Sequence, residues 1–315
     1  MSVSESGTAA LDRGPLTISV VLPTRNRPSQ IRPCVDSILA NDDLYELIVI
    51  DQSDGPETEA QLAGIGDPRL RYEHVDSRGV CAARNRGTEI SSGQIIAATD
   101  DDCRVPSDWI ASIANVFRAT PDAAMVCGRV TVPPELYENG YAVNFEPKQR
   151  EWLGHFPPPA EWGITANLAV RRSVFDLVGP YDRFLGAGAP LTSGGEPDLI
   201  YRILRTGLLV VNATEVEVSH LGVRKYGPET QQLIRGYSAG ISAAILKHVR
   251  IGDLTALRVY GSFVVPMLGS VVANVVRRRR PTGAGTLLAF VKGARASFRF
   301  RVDRATRMYV PRESR

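Results

Sequence analysis

The chain has little of what disulfide, zinc or cofactor scaffolds require. Only 4 of its 315 residues are cysteine (Cys34, Cys81, Cys103, Cys127), with no CxxC pair and no zinc-like spacing to its 4 histidines. Neither a disulfide framework nor a structural metal site is expected, and this usage fits a reducing cytoplasm. No GxGxxG follows the first apolar run and no GxxxxGK[ST] occurs anywhere, which removes the usual phosphate cradles of dinucleotide enzymes and P-loop phosphotransferases. Basic residues are not interleaved with aromatic ones, and no zinc-finger or RNA-binding signature appears, so nucleic acid is not an expected partner. Residues 1–15 are Ser-, Gly- and Ala-rich without a basic patch leading into an apolar run. They read as a flexible tail and not as a secretory leader.

What is present is an ordinary globular composition, 43% hydrophobic and 23% charged, enough for a sizeable core. The net charge of +3 hides an asymmetry: from Tyr226 onward Lys and Arg number 16 against 4 Asp and Glu. The basic region, 226–315, and the acidic remainder therefore face different partners. Short apolar runs at Ile18–Leu22, Glu46–Asp51, Leu70–Tyr72, Gln94–Thr99 and Ala124–Val132 predict strands. Helical periodicity covers Ser29–Ala40, Glu57–Ala63, Val80–Ser91 and Ser107–Ala119. That alternation predicts an α/β fold, a doubly wound sheet with helices on both faces. A Pro- and aromatic-rich connection (Phe156, Pro157, Pro158, Pro159) then leads to an extended Ile164–Arg171, a helix over Arg172–Val178 and another over Glu196–Thr206. Two further apolar runs follow, Leu208–Asn212 and Val216–Ser219, ending at His220. The expected units are a nucleotide-binding half at 16–132 and a second half at 133–225.

Ligands of open α/β sheets bind beyond the carboxyl ends of the strands. The residues there are Pro23, Thr24, Arg25, Asn26 and Arg27 ending the first strand, Asp51, Gln52, Ser53 and Asp54 ending the second, and Asp100, Asp101 and Asp102 ending the fourth. A carboxylate cluster behind a buried strand is costly unless compensated, and a divalent cation bridging to a diphosphate compensates it with hard oxygen ligands. An acidic turn before the helix at Ser107 is the competing reading. Asp51 is placed to accept a nucleobase N–H, or else to form a turn with Ser53 and Asp54. Arg84, on the helix opened by Gly79 and Val80, either meets diphosphate oxygens or sits on a solvated face.

These residues resemble the family 2 glycosyltransferases of GT-A fold. The likeness begins at Val20-Val21-Leu22-Pro23-Thr24-Arg25-Asn26-Arg27 and Ala83-Arg84-Asn85-Arg86-Gly87 before the acidic triplet. It continues through Ala166-Asn167-Leu168-Ala169-Val170-Arg171-Arg172, Val178-Gly179-Pro180-Tyr181-Asp182 and Gly194-Gly195-Glu196-Pro197-Asp198 with Tyr201 and Arg202, covering roughly 17–222. The resemblance implies a nucleoside-diphosphate-sugar donor, UDP or dTDP favoured, with Asp51 at the base and Asp100 at the ribose. It further implies Mg2+ or Mn2+ on Asp102, with His220 completing the shell, and an acidic general base before the helix of Asp198. Many members carry Glu-Asp where this chain has Glu196-Pro197. Glu196 is therefore assigned as base with Asp198 as its substitute, although both also suit a helix N-terminus with Pro197 in its first turn. Inverting transfer to a hydroxyl acceptor, free or lipid-linked, is the expected activity.

In the C-terminal region Val259–Val276 carries no charge over 18 positions and runs into Arg277, Arg278, Arg279 and Arg280. Pro266, Asn274 and glycines 261 and 269 weaken it as a spanning helix. A peripheral helix at an anionic cytoplasmic leaflet, a buried helix and a homo-oligomer interface all remain open. Two rivals of another class also stand: a sugar nucleotidyltransferase, though its Gly-rich loop is replaced by Pro23-Thr24-Arg25-Asn26, and a non-catalytic nucleotide-sugar-binding or assembly subunit.

Overall fold

The computed structural model describes residues 16–312 apart from 139, 149, 154, 155, 157, 159, 160 and 279–282. The tail at 1–15, Pro157, Pro159, Arg279 and Arg280 thus lie outside the described residues. The first half is the expected alternation: β1 (Ile18–Thr24), α1 (Pro28–Leu39), β2 (Glu46–Asp51), α2 (Glu57–Leu62), β3 (Leu70–His74), α3 (Val80–Ile90) and β4 (Ile95–Ala98). These strands are parallel in the order β3-β2-β1-β4. Every residue of β1, β2 and β4 is buried, as strands covered by helices on both faces must be. The chain leaves β1 toward β2 and β3, then returns through α3 to place β4 on the other side of β1. The β1–β4 seam is therefore the switch point where a crevice opens.

Beyond β4 the sheet becomes mixed. It takes in β5 (Cys103–Arg104), β6 (Ala123–Thr131), β7 (Glu151–Leu153), β8 (Leu168–Arg171) and β9 (Leu209–His220), nine strands in all among the described residues. Helices α4 (Trp109–Ala119), α5 (Pro134–Tyr137), α6 (Arg172–Val178) and α7 (Gly195–Arg205) lie between them. The two apolar runs expected after residue 207 are one strand. Its partner β6 shifts register between Gly128 and Arg129, which absorbs the extra residues between Ala213 and Glu217. The extended stretch expected from Ile164 begins as a 3-10 turn, Thr165–Asn167. Asn167 pins it by donating Nδ2 to the carbonyls of Arg129 and Val216, 2.9 Å each, and accepting from Trp109 Nε1 at 3.0 Å.

The C-terminal region holds α8 (Pro228–Arg250), α9 (Leu254–Val276), α10 (Ala284–Ser297) and a small hairpin of β10 (Arg301–Val302) and β11 (Tyr309–Val310). Helices α8 and α10 approach so closely that a Cβ at Gly293 would collide with the backbone of Ala239. Helix α8 drives Lys247 and His248, both fully buried, beneath α7. Lys247 Nζ meets Asp182 Oδ2 at 2.7 Å and Asp198 Oδ1 at 2.8 Å, and His248 Nε2 donates to Asp198 Oδ1 at 2.8 Å. Arg202 Nε bonds Asp198 Oδ2 at 3.1 Å, and the Tyr309 amide donates to Asp182 Oδ2 at 2.9 Å. The last strand thereby closes onto the same joint.

Helix α9 divides in two. Asp253 caps its start by accepting from the Thr255 amide, and Ala256, Val259 and Phe263 pack into the body. From Val264 to Val276 no residue is buried, leaving Val265, Leu268, Val272, Val275 and Val276 exposed. By length and composition α9 is the one described helix apolar enough to cross a membrane.

Candidate active site

The carboxyl ends of β1 and β4 and the first residues of α3 and α7 surround a crevice of about 790 Å³. Pro23, Thr24 and Arg25 line it from β1, and Asp100, Asp101 and Asp102 form its floor. Three adjacent carboxylates survive there because cations and a hydroxyl hold them. Arg84 Nη2 reaches Asp100 Oδ1 at 2.8 Å. Arg27 Nη1 spans Asp101 Oδ1 at 2.7 Å and Asp102 Oδ2 at 2.9 Å. Thr24 Oγ1 donates to Asp101 Oδ2 at 2.7 Å. The compensation is incomplete: burial still pushes the Asp100 and Asp101 carboxyls above their ordinary range, with Arg84 and Arg27 respectively pulling them back. Asp101 is thus tied to the fold by Thr24 and Arg27, while Asp102 and Asp100 face the crevice.

The two-residue β5 makes the next connection. Its antiparallel pairing sets Cys103 opposite His220 at the end of β9, and the Leu221 amide donates to the Asp102 carbonyl at 2.8 Å. His220 Nε2 consequently lies 3.4 Å from Asp102 Oδ1. Asp102, Cys103 and His220 offer ligand atoms within 4.8 Å of one another. The Cys103 thiol is pushed well above its ordinary range by burial, and its soft sulfur is a poor match for a hard oxygen-seeking cation. The usable donors are a carboxylate and an imidazole, a set that fits a divalent cation accepting oxygen and nitrogen. The opposite wall leaves no slack: a Cβ at Gly222 would run into Asp102 Oδ2.

Glu196 enters from the far side, in the first turn of α7. Thr165 Oγ1, held out by the Asn167-pinned turn, donates to Glu196 Oε1. Glu196 lines both this crevice and a second cavity beside it. Asp198 does neither. It is 0% exposed. Burial alone would raise its carboxyl, but Lys247, Arg202 and His248 hold it far below the ordinary range. Two positions, about half a helical turn, separate a carboxylate aimed at the cavity from one sealed in a joint.

Two further expected residues are displaced. Asp51 is 0% exposed. Its Oδ1 accepts from the Ser53 amide at 2.8 Å and its Oδ2 from Tyr72 Oη at 2.9 Å, and it does not line the crevice. Gln52, the next residue, lines the crevice in its place. Side chains alternate across a strand, so these two neighbours take opposite faces. Asn26 is a loop latch: its Nδ2 donates to Asp54 Oδ2 at 2.7 Å, and its Oδ1 accepts from the Asp54 amide at 2.9 Å. Its left-handed backbone, φ 55, is one that Asn tolerates. Thr165, Gly222 and Tyr237 carry no sequence signal as crevice residues, and Arg27 and Gln52 stand in the sequence only as strand-end polar residues without an assigned role. Only Arg27 sat inside a quoted motif, and Tyr237 arrives from α8 with no local signal.

A parallel sheet whose strand order reverses at β1–β4, an acidic floor beneath the seam and a carboxylate across the crevice fit a glycosyltransferase of GT-A fold. The chain belongs to Glycosyl transferase family 2, whose model matches residues 19–178. It is 26% identical over 247 residues to a glucosyl-dolichyl phosphate glucuronosyltransferase of Haloferax volcanii, covering 73% of this chain and 77% of the relative. It is also 26% identical over 251 residues to the glycosyltransferase AglE of the same organism, covering 77% and 79%. Among solved structures it resembles the mannosyltransferase PcManGT of Pyrobaculum calidifontis in complex with GDP-Man and Mn2+. That likeness has a TM-score of 0.60 at 15% identity, over 90% of this chain and 75% of that one.

Proposed function

We propose that the chain transfers a sugar, with inversion, from a nucleoside-diphosphate sugar to a hydroxyl of a lipid-linked acceptor. The observation that carries this reading is the placement of Glu196 across one continuous crevice from the acidic floor. Bound at Asp102 and His220, a divalent cation would neutralise charge developing on the departing diphosphate. The mixed oxygen and nitrogen donors favour Mn2+ over Mg2+, which prefers oxygen alone. Arg27 and Arg84 lie beside the same oxygens as fixed cations. Glu196 takes the proton of the attacking hydroxyl, oriented for it by Thr165. No covalent enzyme intermediate is required.

Gln52 supports an imide-bearing base. Its Nε2 donates to Ser77 Oγ at 3.1 Å and to the Gly79 carbonyl at 3.3 Å. A carbonyl can only accept, so the amide orientation is fixed. Oε1 is then presented to an N–H such as that of uracil, thymine or guanine. UDP and dTDP sugars are the first donors to test, with GDP sugars beside them.

The exposed half of α9 supports a membrane surface as partner. Val264–Val276 would span roughly 20 Å as a helix, short of the ~30 Å hydrocarbon core. It suits a helix lying along one leaflet's interface, with Arg277 and Arg278 at anionic headgroups on the cytoplasmic side.

A screen of nucleoside diphosphates by thermal shift, with and without Mn2+, tests the donor reading, since ligands of the native state raise its apparent stability. Glu196→Gln should keep the Mn2+-dependent shift and lose transfer by roughly 10²–10⁴-fold. Undiminished turnover in that variant would remove Glu196 as base.

A further inference from the structure

The second cavity, about 230 Å³, adjoins the donor crevice and shares Asp100, Thr165, Glu196 and His220 with it. Away from those groups its character changes: Trp162, Ile164, Ile241 and Phe263 form an apolar wall. The Trp162 and Phe263 rings meet edge to face at 5.9 Å, and Phe263 stacks on Phe290 of α10 at 6.5 Å. Diphosphate and sugar have little use for such a wall, because they are polar and the candidate metal ligand Asp102 lines only the other chamber. An apolar lining with two carboxylates, Asp100 and Glu196, gathered at one end suits a molecule whose head reacts and whose body is hydrocarbon.

Phe263 shows where that body continues. It is the last buried residue of α9. The helix beyond it is the exposed apolar half that ends at Arg277 and Arg278. A chain leaving the cavity past Phe263 thus moves onto a surface that is itself apolar and flanked by positive charge.

We propose that this cavity is the acceptor-chain subsite. The first segment of a linear or prenyl chain lies between Trp162, Ile241 and Phe263, its polar head beside Glu196 and the rest following α9 toward lipid. The proposal rests on the glycosyltransferase reading above and adds where the acceptor is held and by what chemistry. It makes Ile241 and Phe263, both from the C-terminal helices, determinants of acceptor choice.

The test is binding, so that it stands apart from turnover. Butyl, octyl and decyl β-glucosides and the matching alkyl monophosphates are titrated calorimetrically into the full chain below their micellar concentrations, without nucleotide. Affinity should rise about fourfold per methylene until the cavity is filled. The two series report whether the head beside Glu196 is a sugar or a phosphate. Ile241→Phe fills the cavity and should flatten the length dependence, while UDP with Mn2+ still raises the melting temperature. If that variant loses the nucleotide response, Ile164→Phe, which lines this cavity and not the donor crevice, replaces it. Affinity independent of chain length overturns the proposal, as does a length dependence untouched by the filling substitutions. So does tighter packing of α9 between two copies that excludes the alkyl chain, read by sedimentation. Loss of the nucleotide response in the unaltered chain would instead strike the donor reading and leave the chain-length result to stand alone.

Discussion

Two acidic clusters lie on either side of α7 and are treated oppositely. Asp182 and Asp198 are sealed among Lys247, Arg202 and the Tyr309 amide, with His248 completing the shell. Asp100, Asp101 and Asp102 have two arginines and one hydroxyl for three carboxylates, and they open on a crevice. Matched charge in the core makes a joint, because nothing further can bind it. Under-matched charge at a cavity makes a site, because a cation arriving from solution completes it. The difference lies in neither residue type nor local spacing. It lies in whether a helix from elsewhere delivers the countercharge.

Three substitutions sharpen or break that contrast. The largest effect belongs to the crevice: Asp102→Ala should remove Mn2+-dependent donor binding and reduce transfer by about 10³-fold or more, with the melting temperature in metal-free buffer nearly unchanged. A large loss of stability would show the triplet to be structural. Lys247→Met leaves Asp182 and Asp198 buried without their shared cation and should cost about 3–5 kcal/mol in urea unfolding. A loss below about 1 kcal/mol, typical of surface pairs, would erase the distinction. The smallest effect is one of pH. Burial lowers the His248 pKa from 6.5 to about 4 despite its bond to Asp198. Between those values the unfolded chain binds a proton that the native chain refuses, so stability falls as pH drops through that window. The depressed Asp198 carboxyl adds a further loss below the ordinary carboxylate range. His248→Gln keeps an N–H for Asp198 and should abolish the higher-pH part, on the order of 3 kcal/mol, measured as unfolding free energy against pH. An unaltered slope would place the titrating group elsewhere.

The parallel half of the sheet was legible because β1, β2 and β4 are continuous apolar runs between helices with clear apolar faces, and polar residues after such strands fall at the crevice. Glu196 and His220 were found by resemblance, and the structure sets both on the cavity walls. What was hidden depended on pairing across long distances. The two-residue β5 has no periodicity, yet it brings His220 to Asp102. Asp51 and Gln52 differ only in which face of the sheet they take, and a strand's end does not announce its last pleat. Asp198 stands as the substitute for Glu196 in the sequence because the residues that occupy it, Lys247 and His248, lie in a helix some fifty positions away. The protrusion of α9 past Phe263 was likewise invisible. Hydropathy reports that the run is apolar, whereas burial of its first half is decided by α8 and α10.

The way the C-terminal hairpin returns to Asp182 has a consequence for posture. Both legs of the α9–α10 excursion are anchored to one rigid body, the first through Asp253 with Arg205 and Arg307, the second through Tyr309. A protein held to a bilayer by a flexible tether samples many tilts, and its catalytic mouth sweeps through a volume of solvent. A protein standing on a braced tip would adopt one tilt, with the mouth at a constant height above the headgroups. Such an enzyme meters reach: acceptors whose reactive hydroxyl lies at that height are served, and glycans grown beyond it pass out of range.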